Sequence, residues 1–326
     1  MNLNILKKIL LNLLKAVVAT GLLWLIVART GFALDTFVEV ISKTRLVWFL
    51  PSLPGVLIVL WIKAWRWHLL MRNQHIFFAQ SKSFIAYLTS FFIGLLTPGR
   101  FGEIVKVYYV RSLPGAGLFR SFQTVIADRF YDLYFLFAYG IVSYFLIFNN
   151  YSSISLFSSI GAGLLGLPML WLLLKFIQPK DPSKSLIGFL HGSLAMITGM
   201  RSAHTWFITF FAYLAYFAQS WLIARSLDIS IDFISLSAIM TLTSVVLLLP
   251  VTWAGMGTRE FSLVMLMALF GVSSEKAIAF SLLQFTSSFL VGGLTGLALW
   301  FHLPIPKEEL KKDYDSILKF FRRNPE

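Results

Sequence analysis

The sequence predicts an all-α polytopic membrane protein, with about six full transmembrane helices and two inverted hairpins, re-entrant or broken, making about eight to ten membrane segments. Three observations lead there. The 326 residues are 57% hydrophobic and 13% charged, far more apolar surface than one soluble core buries. Several apolar runs reach the roughly 20 residues that a helix needs to cross a bilayer. Two further runs are broken by the same order of residue types, LLTPGRFGEIVK at 95–106 and LLLPVTWAGMGTREF at 247–261.

Taken in order, runs of spanning length lie near 9–28, 47–70, 121–148, 153–177, 204–224 and 277–301. Lipid cannot hydrogen-bond an open backbone, so most of these runs can only be helical. Lys7, Lys8 and Lys15 flank the first. At about 20 residues it exceeds the roughly 7 to 15 of a cleavable signal's apolar core, and it reads as a retained span. Trp61, Trp65 and Trp67 beside Lys63 and Arg66 read as an interfacial anchor. Residues 1–302 then form one transmembrane domain. In the tail, 303–326, Leu310, Tyr314, Ile317, Leu318 and Phe321 recur at helical spacing, as in an amphipathic helix on the cytoplasmic face.

Lys and Arg collect on cytoplasmic loops. Residues 62–82 hold Lys63, Arg66, Arg72 and Lys82 with no acid, and 175–201 hold Lys175, Lys180, Lys184 and Arg201 against Asp181. Residues 149–156 are uncharged, and in 225–232 Arg225 faces Asp228 and Asp232. This pattern places both termini in the cytoplasm and the chain in the cytoplasmic (inner) membrane. The interrupted regions, about 83–111 and 233–271, must each leave and return on one side. The first return arm carries Arg100, Glu103, Lys106 and Arg111, which favours a hairpin buried in protein over a lipid-facing span. The two interruptions enter from opposite sides, as inverted repeats require.

The net charge of +13 does not mark a nucleic-acid partner, because the bases sit at the ends of apolar segments, where they serve topology and anionic lipid. Without cysteine there are no disulfides, thiolate nucleophiles or thiolate metal sites. The five His are scattered with no HExxH spacing, so neither a metal site nor a cofactor is expected.

Ionisable residues deep in apolar segments cost roughly 2.5 to 3.5 kcal/mol each and usually face a protein interior or a wet cavity. Here they are Glu103, Asp128, Arg129, Asp132, Arg259 and Glu260. Asp128 and Asp132 share a helical face, and a helix entering near Ser121 puts Asp132 about 16 Å deep, near the middle of a core about 30 Å thick. The candidate substrate-binding set is Arg100, Glu103, Lys106, Asp128, Arg129, Asp132, Arg259 and Glu260. Pro98, Gly99, Gly102, Pro250, Gly255 and Gly257 are the backbone breaks around it.

A purely structural reading has these charges pin helices together, since Arg100 and Glu103, and Arg129 and Asp132, are spaced i, i+3. The glycines favour a binding role, because they allow sharp turns that offer amide N–H groups to an anion. In that role the arginines and amides receive a phosphate-bearing head group, while the carboxylates hold a cationic part of it or a coupling proton. Four acids balance four bases in the set, which suits a zwitterionic or hydrated polar head. Gly292, Gly293 and Gly296 read as helix packing.

PGRFGEIVK, then IADRFYDLY, then LPVTWAGMGTRE, in that order over about residues 10–302, resemble the flippase-like membrane domain of bacterial lysylphosphatidylglycerol synthase/flippase and its stand-alone relatives. Pro98, Gly99, Arg100, Gly102 and Glu103 match the first motif, Arg129 and Asp132 the second, and Pro250, Gly255, Gly257, Arg259 and Glu260 the third. Lys106 stands where relatives often have Arg, Asp128 where Glu is usual and Ala254 where Gly is common. The resemblance implies a re-entrant, helix-only fold and movement of a lipid between leaflets. The soluble aminoacyl-transferring domain of two-domain relatives has no counterpart after residue 302, so lipid synthesis is not expected.

The expected partner is a membrane lipid, such as a phospholipid, aminoacyl lipid or glycolipid. A separately encoded lipid-modifying enzyme and a homo-oligomer are both compatible. The alternatives are a membrane-embedded head-group transferase or hydrolase with an Asp or Glu base, and a proton-coupled small-solute transporter using Asp132 or Glu260.

Overall fold

The computed structural model describes residues 17–22, 24–111, 113–114, 116–148, 186–198, 202–249, 252 and 255–302. Among them every regular element is helical. A first helix, α1 (Val17–Thr30), is followed by α2 (Leu34–Ser42), α3 (Leu46–Ser52), α4 (Gly55–Asn73) and α5 (Gln80–Leu95). After a 3₁₀ segment (Pro98–Tyr109) come α6 (Leu118–Phe148), α7 (Leu186–Thr198), α8 (Ser202–Ser226), α9 (Phe233–Val246) and α10 (Thr258–Ala268). The last helix is α11 (Ser274–Phe285) and α12 (Val291–His302), joined by a π-helical turn (Thr286–Leu290).

Among the described residues, four helices are long and apolar enough to cross a membrane: Leu46–Asn73, which runs through Pro51, then Leu118–Phe148, Ala203–Ser226 and Ser274–His302. They coincide with four of the six expected runs. The first run ends differently from expectation, because α1 bends by 97° into α2. Gly31 turns the chain at φ +64°, and the Ala33 amide donates to Glu275 Oε1 at 3.1 Å. Counting that bent pair as one span gives five. The run at 153–177 and the tail at 303–326 lie outside the described residues.

The interrupted regions are built from short arms. At 1.5 Å per residue α5 is about 24 Å long, α9 about 21 Å and α10 about 17 Å, each less than a hydrocarbon core of about 30 Å. The 3₁₀ segment runs back along α5, and a side chain on Gly102 would begin 2.6 Å from the Ile93 carbonyl oxygen. Asp232 starts α9 as a side-chain cap, accepting the Ser235 N–H at 2.9 Å.

The order α4, α5, 3₁₀ segment, α6 is answered by α8, α9, α10, α11–α12, and the packing exchanges partners between the two sets. Helix α6 lies along α9, α12 lies along α5, and α4 packs against α8. Small residues bring the exchanged pairs close. A Cβ on Gly140 of α6 would meet Val245 of α9 at 3.2 Å, and one on Gly296 of α12 would meet the Leu88 carbonyl of α5 at 2.3 Å. One apolar core gathers Trp67, Tyr87, Phe91 and Phe122, and a second gathers Ile223, Ile239, Leu263 and Phe280. Large apolar side chains on the outside, among them Phe137, Phe210, Leu294 and Phe301, make the lipid-facing surface.

Candidate functional site

Arg66 on α4 is completely buried and organises a cluster of charges. Its Nε and Nη2 reach Asp128 Oδ1 at 2.8 and 2.7 Å, and its Nη1 reaches Asp132 Oδ1 and Thr209 Oγ1, each at 3.0 Å. Nη2 also donates to the Asp128 carbonyl at 3.0 Å. The second Asp128 oxygen accepts from Lys106 Nζ at 2.6 Å and from the Tyr87 hydroxyl at 2.9 Å. Lys63, one turn before Arg66 on the same face, holds Asp132 Oδ1 at 3.0 Å. Aromatic faces complete the lining: Lys106 Nζ lies 4.1 Å from the Tyr87 ring centroid, and Lys63 Nζ 5.0 Å from that of Tyr213. Side chains of α4, α5, the 3₁₀ segment, α6 and α8 thus meet around two carboxylates.

Arg129 points to another part of the same face and pairs with Glu103, whose stem lies where Gly94 has no side chain. The cluster is closed at one end and open at the other. The side chains of Arg66, Lys106 and Asp128 are 0% exposed, whereas Asp132 is 10%, Lys63 18% and Arg129 29% exposed. Solvent therefore reaches Lys63, Asp132 and Arg129 first.

The second interruption forms its own cluster. Arg259 donates from Nε and Nη2 to Glu260 Oε1 at 3.1 and 2.6 Å, and from Nε to Ser281 Oγ at 2.8 Å, while Ser281 donates to Glu260 at 2.7 Å. The other Glu260 oxygen accepts the Gly257 N–H at 2.6 Å and so caps α10. Gly257 has φ +85°, and a Cβ there would lie 2.8 Å from the Ala19 carbonyl, so glycine lets α1 close on the start of α10. Gly255, at φ +77°, accepts from the Thr258 hydroxyl at 3.0 Å. The Arg259 guanidinium sits 5.1 Å from the Phe285 ring and 5.6 Å from the Phe289 ring, on the π-helical turn.

The expected residues are thus distributed over two groups. Glu103, Lys106, Asp128, Arg129 and Asp132 meet in one, and Arg259, Glu260, Gly255 and Gly257 in the other. The first group is built on the 3₁₀ segment and α6, the second on the start of α10 and on α11. Gly102 donates its N–H to Thr97 Oγ1 at 2.7 Å and fixes the hairpin turn. Pro98 and Gly99 open the 3₁₀ segment, while the Arg100 side chain and Pro250 lie outside the described part. The i, i+3 pairing of Arg129 with Asp132 gives way to pairing between elements, Arg129 with Glu103 and Asp132 with Arg66 and Lys63.

Sequence reasoning missed Lys63, Arg66, Tyr87, Thr209 and Tyr213. It placed Lys63 and Arg66 in a cytoplasmic loop and Trp67 in an interfacial belt. Arg66 and Trp67 are instead fully buried, and only Trp61 and Trp65 are exposed. The signal was present, because Arg66 is 11 residues into a helix that starts at Gly55, about 16 Å along it. Asp132 is 14 residues into α6, about 21 Å along it, and the two interior charges pair.

Among the described side chains the charge balance differs from the expected one: Lys63, Arg66, Lys106 and Arg129 face Asp128, Asp132 and Glu103, four bases against three acids. An interior with one more cation than carboxylate suits an anionic guest better than the balanced set did.

No curated protein and no solved structure matches the chain. A family model does, over residues 12–296, a stretch holding both interrupted regions and both charge clusters, and the chain therefore belongs to the family described as the lysylphosphatidylglycerol synthase TM region.

Proposed function

We propose that the protein moves a polar-headed lipid between membrane leaflets, with the head group passing along a polar midplane groove while the acyl chains stay in the bilayer. The observation that carries this reading is the exchange of partners between two four-segment sets, each with a glycine-marked interruption and a buried Arg/Glu cluster. In this reading the interruptions are re-entrant hairpins entering from opposite faces, the arrangement that places a transporter's site at the repeat interface. Both termini lie in the cytoplasm. The chain's membership in a lipid-handling membrane family supports the same assignment.

Lys63 and Arg129, at the accessible end of the first cluster, receive the phosphate, and Asp132 takes a cationic part of the head or releases its bases to it. The surplus base makes an anionic phospholipid the favoured cargo. In proteoliposomes, a phospholipid with a fluorescent head group should become accessible to a membrane-impermeant quencher from both leaflets. Glu103→Gln, Arg129→Ala and Glu260→Gln should each slow that exchange at least about tenfold, the cost of one charge-assisted contact. Exchange at the wild-type rate in all three variants would remove the proposed site. A chemically altered lipid on mass spectrometry would instead favour head-group transfer or hydrolysis.

A further inference from the structure

A third polar feature lies away from the Arg66 cluster. At the C-terminal end of α8 a cavity of about 190 Å³ is lined by Arg45, Trp48, Arg225, Asp228, Ile229 and Ser230. Its walls are held by the backbone. Asp228 closes α8 at φ +50°, the Ile229 amide donates to the Ala224 carbonyl at 3.0 Å, and the Arg45 amide donates to the Ser226 carbonyl at 2.8 Å, docking the α2–α3 connection on the helix end.

Among the lining side chains two bases, Arg45 and Arg225, face one acid, Asp228. Arg45 Nη2 is 3.0 Å from Asp228 Oδ2, and Lys276 Nζ donates to the Asp228 carbonyl at 3.0 Å. The Arg225 guanidinium lies 5.4 Å from the Trp221 ring, and Trp221 meets Trp48 edge-on at 6.0 Å. Among the described residues that guanidinium donates to no acceptor, and it lies over an indole face. Thr209, which bonds Arg66 in the buried cluster, is 16 residues before Arg225 on α8, about 24 Å along the helix. With a hydrocarbon core about 30 Å thick, that separation carries the cavity to the membrane surface.

We propose that this cavity binds the phosphate of an anionic glycerophospholipid at the membrane–water boundary. The Arg225 fork and Arg45 take the phosphate oxygens. Trp48 and Trp221 sit at the glycerol level, the depth that indole rings favour. The surplus of base over acid selects a head group with net negative charge. The site is independent of the midplane groove and does not require that the protein flips lipid.

Native mass spectrometry of the full chain in detergent, titrated with short-chain phosphatidylglycerol, tests it, with phosphatidylcholine and inorganic phosphate as separate arms. Phosphatidylglycerol should bind more tightly than phosphatidylcholine. Arg225→Gln and Arg45→Gln should each weaken its binding about fivefold, and the pair about 25-fold, at roughly 1 kcal/mol per base. Arg72→Gln, a base outside the cavity, should leave binding unchanged. Unchanged phosphatidylglycerol binding in the double variant, with an unaltered melting temperature, would overturn the proposal. So would equal binding of the two lipids, or saturation by inorganic phosphate alone.

Discussion

Removing the Arg66 guanidinium leaves Asp128, which is 0% exposed, with Lys106 and Tyr87 alone, and Asp132 with Lys63 alone, and it strips Asp128 Oδ1 of both its charged donors. Truncating one partner of a buried pair leaves an uncompensated charge, which typically costs about 3 to 5 kcal/mol. Arg66→Met should therefore lower the thermal midpoint steeply. Arg66→Lys, which keeps the charge but not the fork geometry, should fall between it and wild type. Lys63→Gln should cost less stability than Arg66→Met, since its pair is more open to solvent. A Lys63→Gln melting loss equal to that of Arg66→Met would contradict the division into a sealed strut and an accessible rim.

At the scale of elements, the long apolar helices and the two interruptions were legible because hydropathy and backbone breaks are local properties. Helix α6 follows from an apolar run, and the hairpin turn from the Pro98–Gly102 stretch. Arg66 was misplaced for a related reason: flanking Trp and Lys residues imitate an interfacial belt, and only the partner helix shows that the guanidinium is inside. The exchange of helices between the halves was equally hidden, since nothing in the α5 sequence names α12 as its neighbour. Gly296→Leu tests that contact. A side chain cannot fit 2.3 Å from the Leu88 carbonyl, so the variant should lose about 1 to 3 kcal/mol, as overpacked sites do. Leu294→Ala on the lipid-facing side of the same helix should change the melting temperature little.

For the molecule as a whole, the absence of native cysteine makes topology directly measurable, since any introduced thiol is the sole one. His75→Cys, between α4 and α5, and Ser230→Cys, between α8 and α9, should react with an impermeant maleimide from opposite sides of sealed vesicles. Labelling of both from one side would defeat the inverted arrangement. The π-helical turn at Thr286–Leu290 has a global effect as well. A π turn accommodates one extra residue, and an α-helix advances about 100° per residue. The surface of α11 that carries Ser281 against Arg259 can thus serve one repeat, while the glycine surface of α12 is swung round to serve the other. Deleting a single residue within 286–290 should restore an unbroken α-helix, turn Gly292 and Gly296 away from α5, and uncouple the two halves through a rotation of one helix about its own axis.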